Sequence, residues 1–318
     1  LGVAPYEIRR TTDAEPPQPV RFERFLYNEP RHLVSQGGGA TSFFLLHEIT
    51  RTTDARLSLF VLEKEAVSPR RATFGGLEAA PDVPESALRA LLRAAEDWAA
   101  AEGLTALRLT QWPAAYAPEL AQRLHAVLLA EGYRVLFTDQ NQHLPLTGEP
   151  PETRMHLSAR RRLRKAERAG FAFSTWENPD WEVVYAFILA ARERKGLPLS
   201  LTAPELRTLG QTFPHDVTVF TVRAGTALAA LGVTIRLNDR VLYHFLPADA
   251  TEFLPFSPTI FLNARLAAWA WQRGFGLLDL GISTRQGLPN EGLLRFKRNL
   301  GAEVSAKRVY GKGVRSEE

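Results

Sequence analysis

"VPESALRALLRAAEDWAAAEGLTALRL", residues 83–109, lies over "LPFSPTIFLNARLAAWAWQRGFGLLDL", residues 254–280, without a gap. Identities fall at Pro84/Pro255, Ser86/Ser257, Leu91/Leu262, Trp98/Trp269, Ala99/Ala270, Gly103/Gly274, Leu107/Leu278 and Leu109/Leu280. Most of these are positions that punctuate structure. A serine such as Ser257 can cap a helix N-terminus, and Pro258 suits the first turn. Gly103 and Gly274 stand where a helix must stop. The paired leucines that follow alternate as a strand requires. One helix–stop–strand unit is written twice.

The surroundings of the two copies agree. In the second half, 171–178 reads as a strand, 181–196 as a helix closed by Gly196, and 202–213 as a helix opened by Thr202 and Glu205 at capping-box spacing. Strand-like runs follow at 217–223, 227–237 and 240–247, with Asn238-Asp239 as the turn between the last two. Then come the repeat helix (258–273), a strand (277–283), a helix (290–300) and a strand (302–310). In the first half, strands are expected near 41–50, 56–63 and 70–75, a helix over 85–102, a strand at 104–110 and a helix at 116–131. Pro145, Gly148, Pro150 and Pro151 mark the junction. The fold class is therefore α/β with mixed sheets, in two tandem domains, 1–148 and 149–318. Three antiparallel strands, a helix and then a parallel strand make a sheet whose neighbouring strands splay where the helix begins. The splay offers backbone groups to a ligand, and the helix N-terminus attracts anions. Ser257 and Thr259 stand at that N-terminus in the second copy, whose cleft is the expected working site.

The composition excludes several classes. The chain has 318 residues, of which 45% are hydrophobic and 23% charged, and this suits a globular protein. A net charge of +4 does not call for a polyanionic partner but permits a local basic patch. Without cysteine there is no disulfide, zinc thiolate or thiol nucleophile. No apolar run reaches the ~18 residues of a membrane span, and cytoplasm is the expected compartment. The seven histidines are scattered without metal-ligand spacing, so no metal is expected. Serine-hydrolase, P-loop and zincin motifs are missing.

Three features carry candidate chemistry. The segment "LSARRRLRKAERAGF" (157–171) has six basic side chains between Arg160 and Arg168. On a helix from Ser158 to Gly170, Arg160, Arg161, Arg164, Lys165 and Arg168 fan over about 140° of one face. That face is either solvated or a phosphate-binding rim in which Arg160, Arg164 and Lys165 hold a phosphorylated donor or acceptor. Sequence-specific DNA binding is the weakest reading, because there is no helix-turn-helix spacing. Lys297 falls inside the apolar stripe of Leu293, Phe296 and Leu300, while Arg295 and Arg298 point outward. It must either snorkel to water or meet an anion or carbonyl. Asp279 interrupts an apolar strand before Gly281. It could orient or deprotonate an amine, or pair structurally. The polar loop after it offers Ser283, Arg285 and Asn290, and alternation sends only one of Tyr243 and His244 toward the cleft.

The mixed-sheet order resembles the GNAT acyltransferase fold in tandem. The basic segment and "GLLRFKRNLGAEV" (292–304) resemble the FemABX peptidoglycan-bridge aminoacyltransferases and the related BioF2-like acyltransferase group. The resemblance implies acyl or aminoacyl transfer to an amine, with aminoacyl-tRNA or acyl-CoA as donor substrate and no tightly bound cofactor. It also implies a nucleotide- or lipid-linked muropeptide as acceptor, and it favours the phosphate-rim reading. Lys297 matches the lysine implicated in that family in stabilising the oxyanion. Coenzyme-A-binding GNAT enzymes carry an [RQ]-x-x-G-x-[GA] loop before the central helix. Here "ADATEFLPFSP" and "LEAAPDVPES" stand in that place, which favours the FemABX side. A coenzyme-A-dependent N-acetyltransferase is one alternative. A catalytically silent module that binds RNA or a cell-wall precursor is another.

Overall fold

The computed structural model, which describes residues 5–314, turns both copies of the repeat into a helix and the strand after it. Glu85–Ala101 leads to Ala106–Thr110, and Pro258–Gln272 leads to Leu277–Ile282. Gly103 and Gly274 have φ of +70° and +80°, the left-handed geometry that ends each helix without a Cβ penalty. Each copy lies in its own compact unit. One unit contains residues up to Gln140, 286–288 and Ser305 onward; the other contains Asn141–Arg285 and Pro289–Val304.

The first unit has strands β1 (Tyr6–Thr11), β2 (Thr41–His47), β3 (Thr52–Leu62), β4 (Glu65–Ser68), β5 (Leu77–Ala79) and β6 (Ala106–Thr110). It also holds the first part of β7 (Arg134–Pro145), and helices α1 (Pro30–Ser35), α2 (Glu85–Ala101) and α3 (Pro118–Ala130). β1 to β4 run antiparallel in chain order, with β5 paired to β3. β4 and β6 are parallel from Glu65↔Ala106 to Ser68↔Leu109. The strand over Glu303–Gly313 then adds to β6, antiparallel, from Val309↔Thr110 to Gly313↔Ala106. α2 buries Leu88, Leu91, Leu92, Ala95 and Trp98, one stripe at helical spacing.

β7 carries the chain into the second unit. There follow α4 (Leu157–Arg168), β8 (Ala172–Thr175), α5 (Trp181–Arg194), α6 (Ala203–Thr212), β9 (Val217–Ala224), β10 (Ala227–Arg236) and β11 (Val241–Asp249). Next are α7 (Pro258–Gln272), β12 (Leu277–Ile282), the short strands β13 (Thr284–Arg285) and β14 (Leu288–Pro289), α8 (Glu291–Asn299), and finally β15 (Glu303–Gly313). The sheet order is β7-β12-β11-β10-β9-β8. Only β11 and β12 are parallel. Leu144, Leu242 and Leu278 from three neighbouring strands pack with Leu163 and Ala166 of α4 and Ile260, Leu266 and Ala270 of α7. Each large aliphatic side chain so buried contributes about 1.5–3 kcal/mol.

The structure departs from the expected pattern in places. Residues 70–75 form no strand; the short β5 at Leu77–Ala79 is the element that pairs with β3. β1 and β7 lie outside the expected strands, because neither has clean alternation: β7 runs six consecutive polar residues, Thr138–His143. Ser158 does not cap α4. The His156 ring accepts from the Ser158 amide instead. Ser257 precedes α7 in the left-handed region at φ +59°, and its side chain caps nothing. Thr202 with Glu205, and Asn290 at α8, do cap their helices.

Candidate active site

The parallel pair β11/β12 is held by three register pairs only, Val241↔Leu277, Leu242↔Leu278 and Tyr243↔Asp279. After Tyr243 the strands part, although β11 runs on to Asp249. Two bulges force this. On β11, Val233 pairs with Leu246 and Thr234 with His244, so Phe245 is an extra residue. On β12, the pairing with β7 slips between Asp279↔His143 and Ile282↔Asn141. Gly281 lies in that slip with φ +76°. A Cβ on it would meet the Tyr243 ring at 3.4 Å, so the tyrosine lies directly against this turn. His244 points the other way, into α7. Its Nδ1 is 3.1 Å from Asn263 Oδ1, and burial lowers its pKa to about 4, which keeps it neutral.

The kink turns the carbonyls of Gly281 and Ile282 toward α8. Lys297 Nζ donates to both, at 2.8 and 3.0 Å. Its side chain points inward beside buried Leu294 and Leu300, so the stripe that encloses it includes Leu294, and Leu293 is only half-buried. Lys297 is 6% exposed, and burial pushes its pKa down to about 8, with the charge of Asp279 acting against the fall. Two of its three N–H bonds are used; the third has no acceptor among the described residues. The lysine thus meets carbonyls and does not snorkel.

Asp279 is 2% exposed and sets up this turn. Its Oδ1 accepts from the Gly281 amide at 2.6 Å and from Asn141 Nδ2 at 2.8 Å. That arrangement suits a positioning group better than a proton acceptor. Ser283 is buried and donates to Gln142 Oε1 at 2.7 Å, and Gln142 Nε2 in turn donates to the Leu294 carbonyl. Asn290 is occupied as the α8 cap, and Arg285 is exposed. Tyr243, Asp279, Ser283 and Lys297 are therefore gathered around the end of β12. Asn141 and Gln142, which hold two of them, went unnoticed in the sequence because β7 gave no strand signal.

The other expected residues lie elsewhere. Thr259, in the first turn of α7, donates its hydroxyl to Asp249 Oδ2 at 2.6 Å. Arg194 and Lys195 also bond the Asp249 carboxylate. Burial pushes the Asp249 pKa up, but Thr259 and these two cations leave it below the ordinary aspartate value. The start of α7, where a diphosphate would be expected, thus already faces a carboxylate of the protein itself. The residues of this loop do not fit the diphosphate of coenzyme A. On α4, Arg160 is committed to the carbonyls of Met155 and Thr153, at 2.8 and 2.9 Å, and so braces the chain instead of forming a rim. Lys165 lies over the Phe256 ring, and Arg164 is exposed.

Among the described residues no cluster of three metal-ligating side chains gathers, and no helix is long and apolar enough to cross a membrane. Residues 154–298 match the acetyltransferase (GNAT) domain family. No curated protein sequence matches the chain significantly. The fold is similar to that of FemX, with a TM-score of 0.68 at 13% identity over 94% of each chain. It is also similar to L-PGS from Bacillus licheniformis, with a TM-score of 0.57 at 12% identity over 90% of this chain and 87% of that one. A tandem GNAT protein from the clavulanic acid biosynthesis pathway gives 0.54 at 14% identity, over 88% and 84%. At such identities these likenesses are of fold. Residues 154–298 accordingly form an acetyltransferase (GNAT) domain, and the chain as a whole has a fold similar to those of FemX and a tandem GNAT protein.

Proposed function

We propose that the second unit transfers an acyl or aminoacyl group to an amine at the parting of β11 and β12. The observation that carries this reading is the buried Lys297 ammonium, fixed by two carbonyls just past the point where the strands separate. A donor carbonyl placed there lies in reach of the third N–H of Lys297. The amine attacks, a C–N bond forms, and negative charge collects on the former carbonyl oxygen. A preorganised cation at that oxygen stabilises the intermediate without reorganising. The ester or thioester bond then breaks, and the amine's proton leaves with the departing oxygen or sulfur. Asp279 holds the Gly281 turn, and with it Lys297, in place. Tyr243 borders the turn and contacts one of the reactants.

The resemblance to the FemABX group supplies the substrate classes: an aminoacyl ester as donor and an amine of a muropeptide as acceptor. The occupied start of α7 supports a donor other than coenzyme A in this unit. The test is to incubate the protein with aminoacyl-tRNA and a UDP-linked muropeptide, and in parallel with acetyl-coenzyme A and a panel of amines, and to follow mass gain of the acceptor. An acylated amine from the first pair, lost in Lys297→Met, is the expected result. Absence of product from every pair would end the proposal.

A further inference from the structure

The second unit contains a groove of about 280 Å³ bounded by α4, α7 and α8, and its lining includes Ser158, Arg162, Ile260, Arg295, Phe296 and Asn299. Arg162 and Arg295 enter from different helices, and neither side chain makes an ion pair or hydrogen bond with a described residue. Some nearby arginines are engaged otherwise: Arg160 braces two carbonyls, Arg154 pairs with Glu303, Arg265 with Glu167, and Arg194 with Asp249; Arg161, Arg164 and Arg298 are exposed and lie outside the groove lining. Two unneutralised guanidinium groups in one groove repel each other unless an anion lies between them. Asn299 adds an amide, and Ser158 a hydroxyl that also bonds His156 Nδ1 at 2.8 Å. Ile260 and Phe296 give the groove an apolar wall, so the ligand carries a hydrophobic or aromatic part beside its charge.

Two further observations place this charge in the reaction. The usual anion position at the start of α7 is taken by Asp249, so a phosphate must be held elsewhere. Phe296 lines the groove, and Lys297, the next residue on α8, reaches the end of β12. A phosphate in the groove would sit roughly one helix width, about 10 Å, from the reacting carbonyl. Planar guanidinium groups match phosphate geometry with paired donors.

We infer that this groove, through Arg162 and Arg295, binds the phosphate groups of a small phosphorylated substrate. That the substrate takes part in acyl transfer rests on the function proposed above; that the groove takes phosphate does not. The test is calorimetric titration with inorganic pyrophosphate, UDP and adenosine 3′,5′-bisphosphate. The proteins are the wild type, an Arg162→Gln/Arg295→Gln double variant, and Lys297→Met. Both arginines are exposed, so an unchanged melting temperature is expected to show that the double variant folds. Wild type should bind pyrophosphate and at least one nucleotide, and raising the salt should weaken both. The double variant should bind at least tenfold more weakly, and Lys297→Met within about twofold of wild type. A preference for UDP points to a nucleotide-linked precursor, and a preference for the bisphosphate to the nucleotide end of coenzyme A. Equal binding by wild type and double variant, or no binding of any probe, overturns the inference. Arginine-dependent UDP binding without any acyl transfer would retire the proposed reaction and keep the groove. Transfer that requires Lys297, with arginine-independent binding, would do the opposite.

Discussion

Lys297 should show two pH dependences of opposite sign. Its ammonium is the form the proposed reaction needs, and its pKa is lowered from the ordinary 10.5 to about 8. Turnover should therefore fall as pH rises through about 8. Stability should move the other way. Between about 8 and 10.5 the unfolded chain holds a proton that the native lysine has released, so this residue makes the unfolding free energy rise with pH. A pH–rate profile beside urea titrations at both ends of that window checks the pair. Turnover that climbs through pH 8 would make Lys297 a base and not a cation. Lys297→Met should lower kcat by about 10²–10³ and leave KM nearly unchanged. Asp279→Asn keeps an oxygen for Gly281 and Asn141 but removes the charge that holds the Lys297 pKa up. The alkaline limb should then move to lower pH, a shift that a merely structural aspartate would not produce.

At the level of elements, α8 exists to aim Lys297. Its first turn is capped by Asn290, whose Oδ1 accepts from the Leu293 amide at 3.0 Å. Asn290→Ala should cost about 0.5–2 kcal/mol in urea unfolding and lower kcat, while Asn290→Asp should preserve both. α7 is anchored differently, through Thr259 and the Asp249 carboxylate instead of Ser257. The Asp249 pKa lies below its ordinary value, so its contribution is present above the unfolded aspartate pKa and is lost as pH falls through the folded one. Asp249→Asn should therefore flatten the acid limb of a stability–pH curve. An unchanged limb would mean that Arg194 and Lys195 do not stabilise the start of α7.

Across the whole molecule, matched positions of the repeat should behave alike. Leu91 and Leu262 are both fully buried, and each change to alanine should cost about 2–5 kcal/mol by urea unfolding. The last strand is a separate matter. β15 closes the sheet of the first unit against β6, and from it Lys312 pairs with Glu96 of α2 and Tyr310 meets His125 of α3. A chain ending at Val304 leaves β6 with an open edge, so it should aggregate and lose the folded fluorescence of buried Trp98 and Trp112. Retention of the full unfolding transition after truncation would show that β15 is dispensable.

The duplicated helix–strand unit, the helix stops at Gly103 and Gly274, the cap at Thr202, and the misplaced charge of Lys297 were all readable without coordinates. These depend on backbone preference and side-chain period within a few residues, and a chain carries such information locally. The partners were not readable. Asn141 meets Asp279 across 138 positions, and Gln142 meets Ser283 across 141. Asp249 displaces the expected anion, and Arg160 is used up while Arg162 and Arg295 converge on one groove. Sheet register, bulges and helix packing decide which polar groups meet, and those depend on the arrangement of distant segments, which no local pattern encodes.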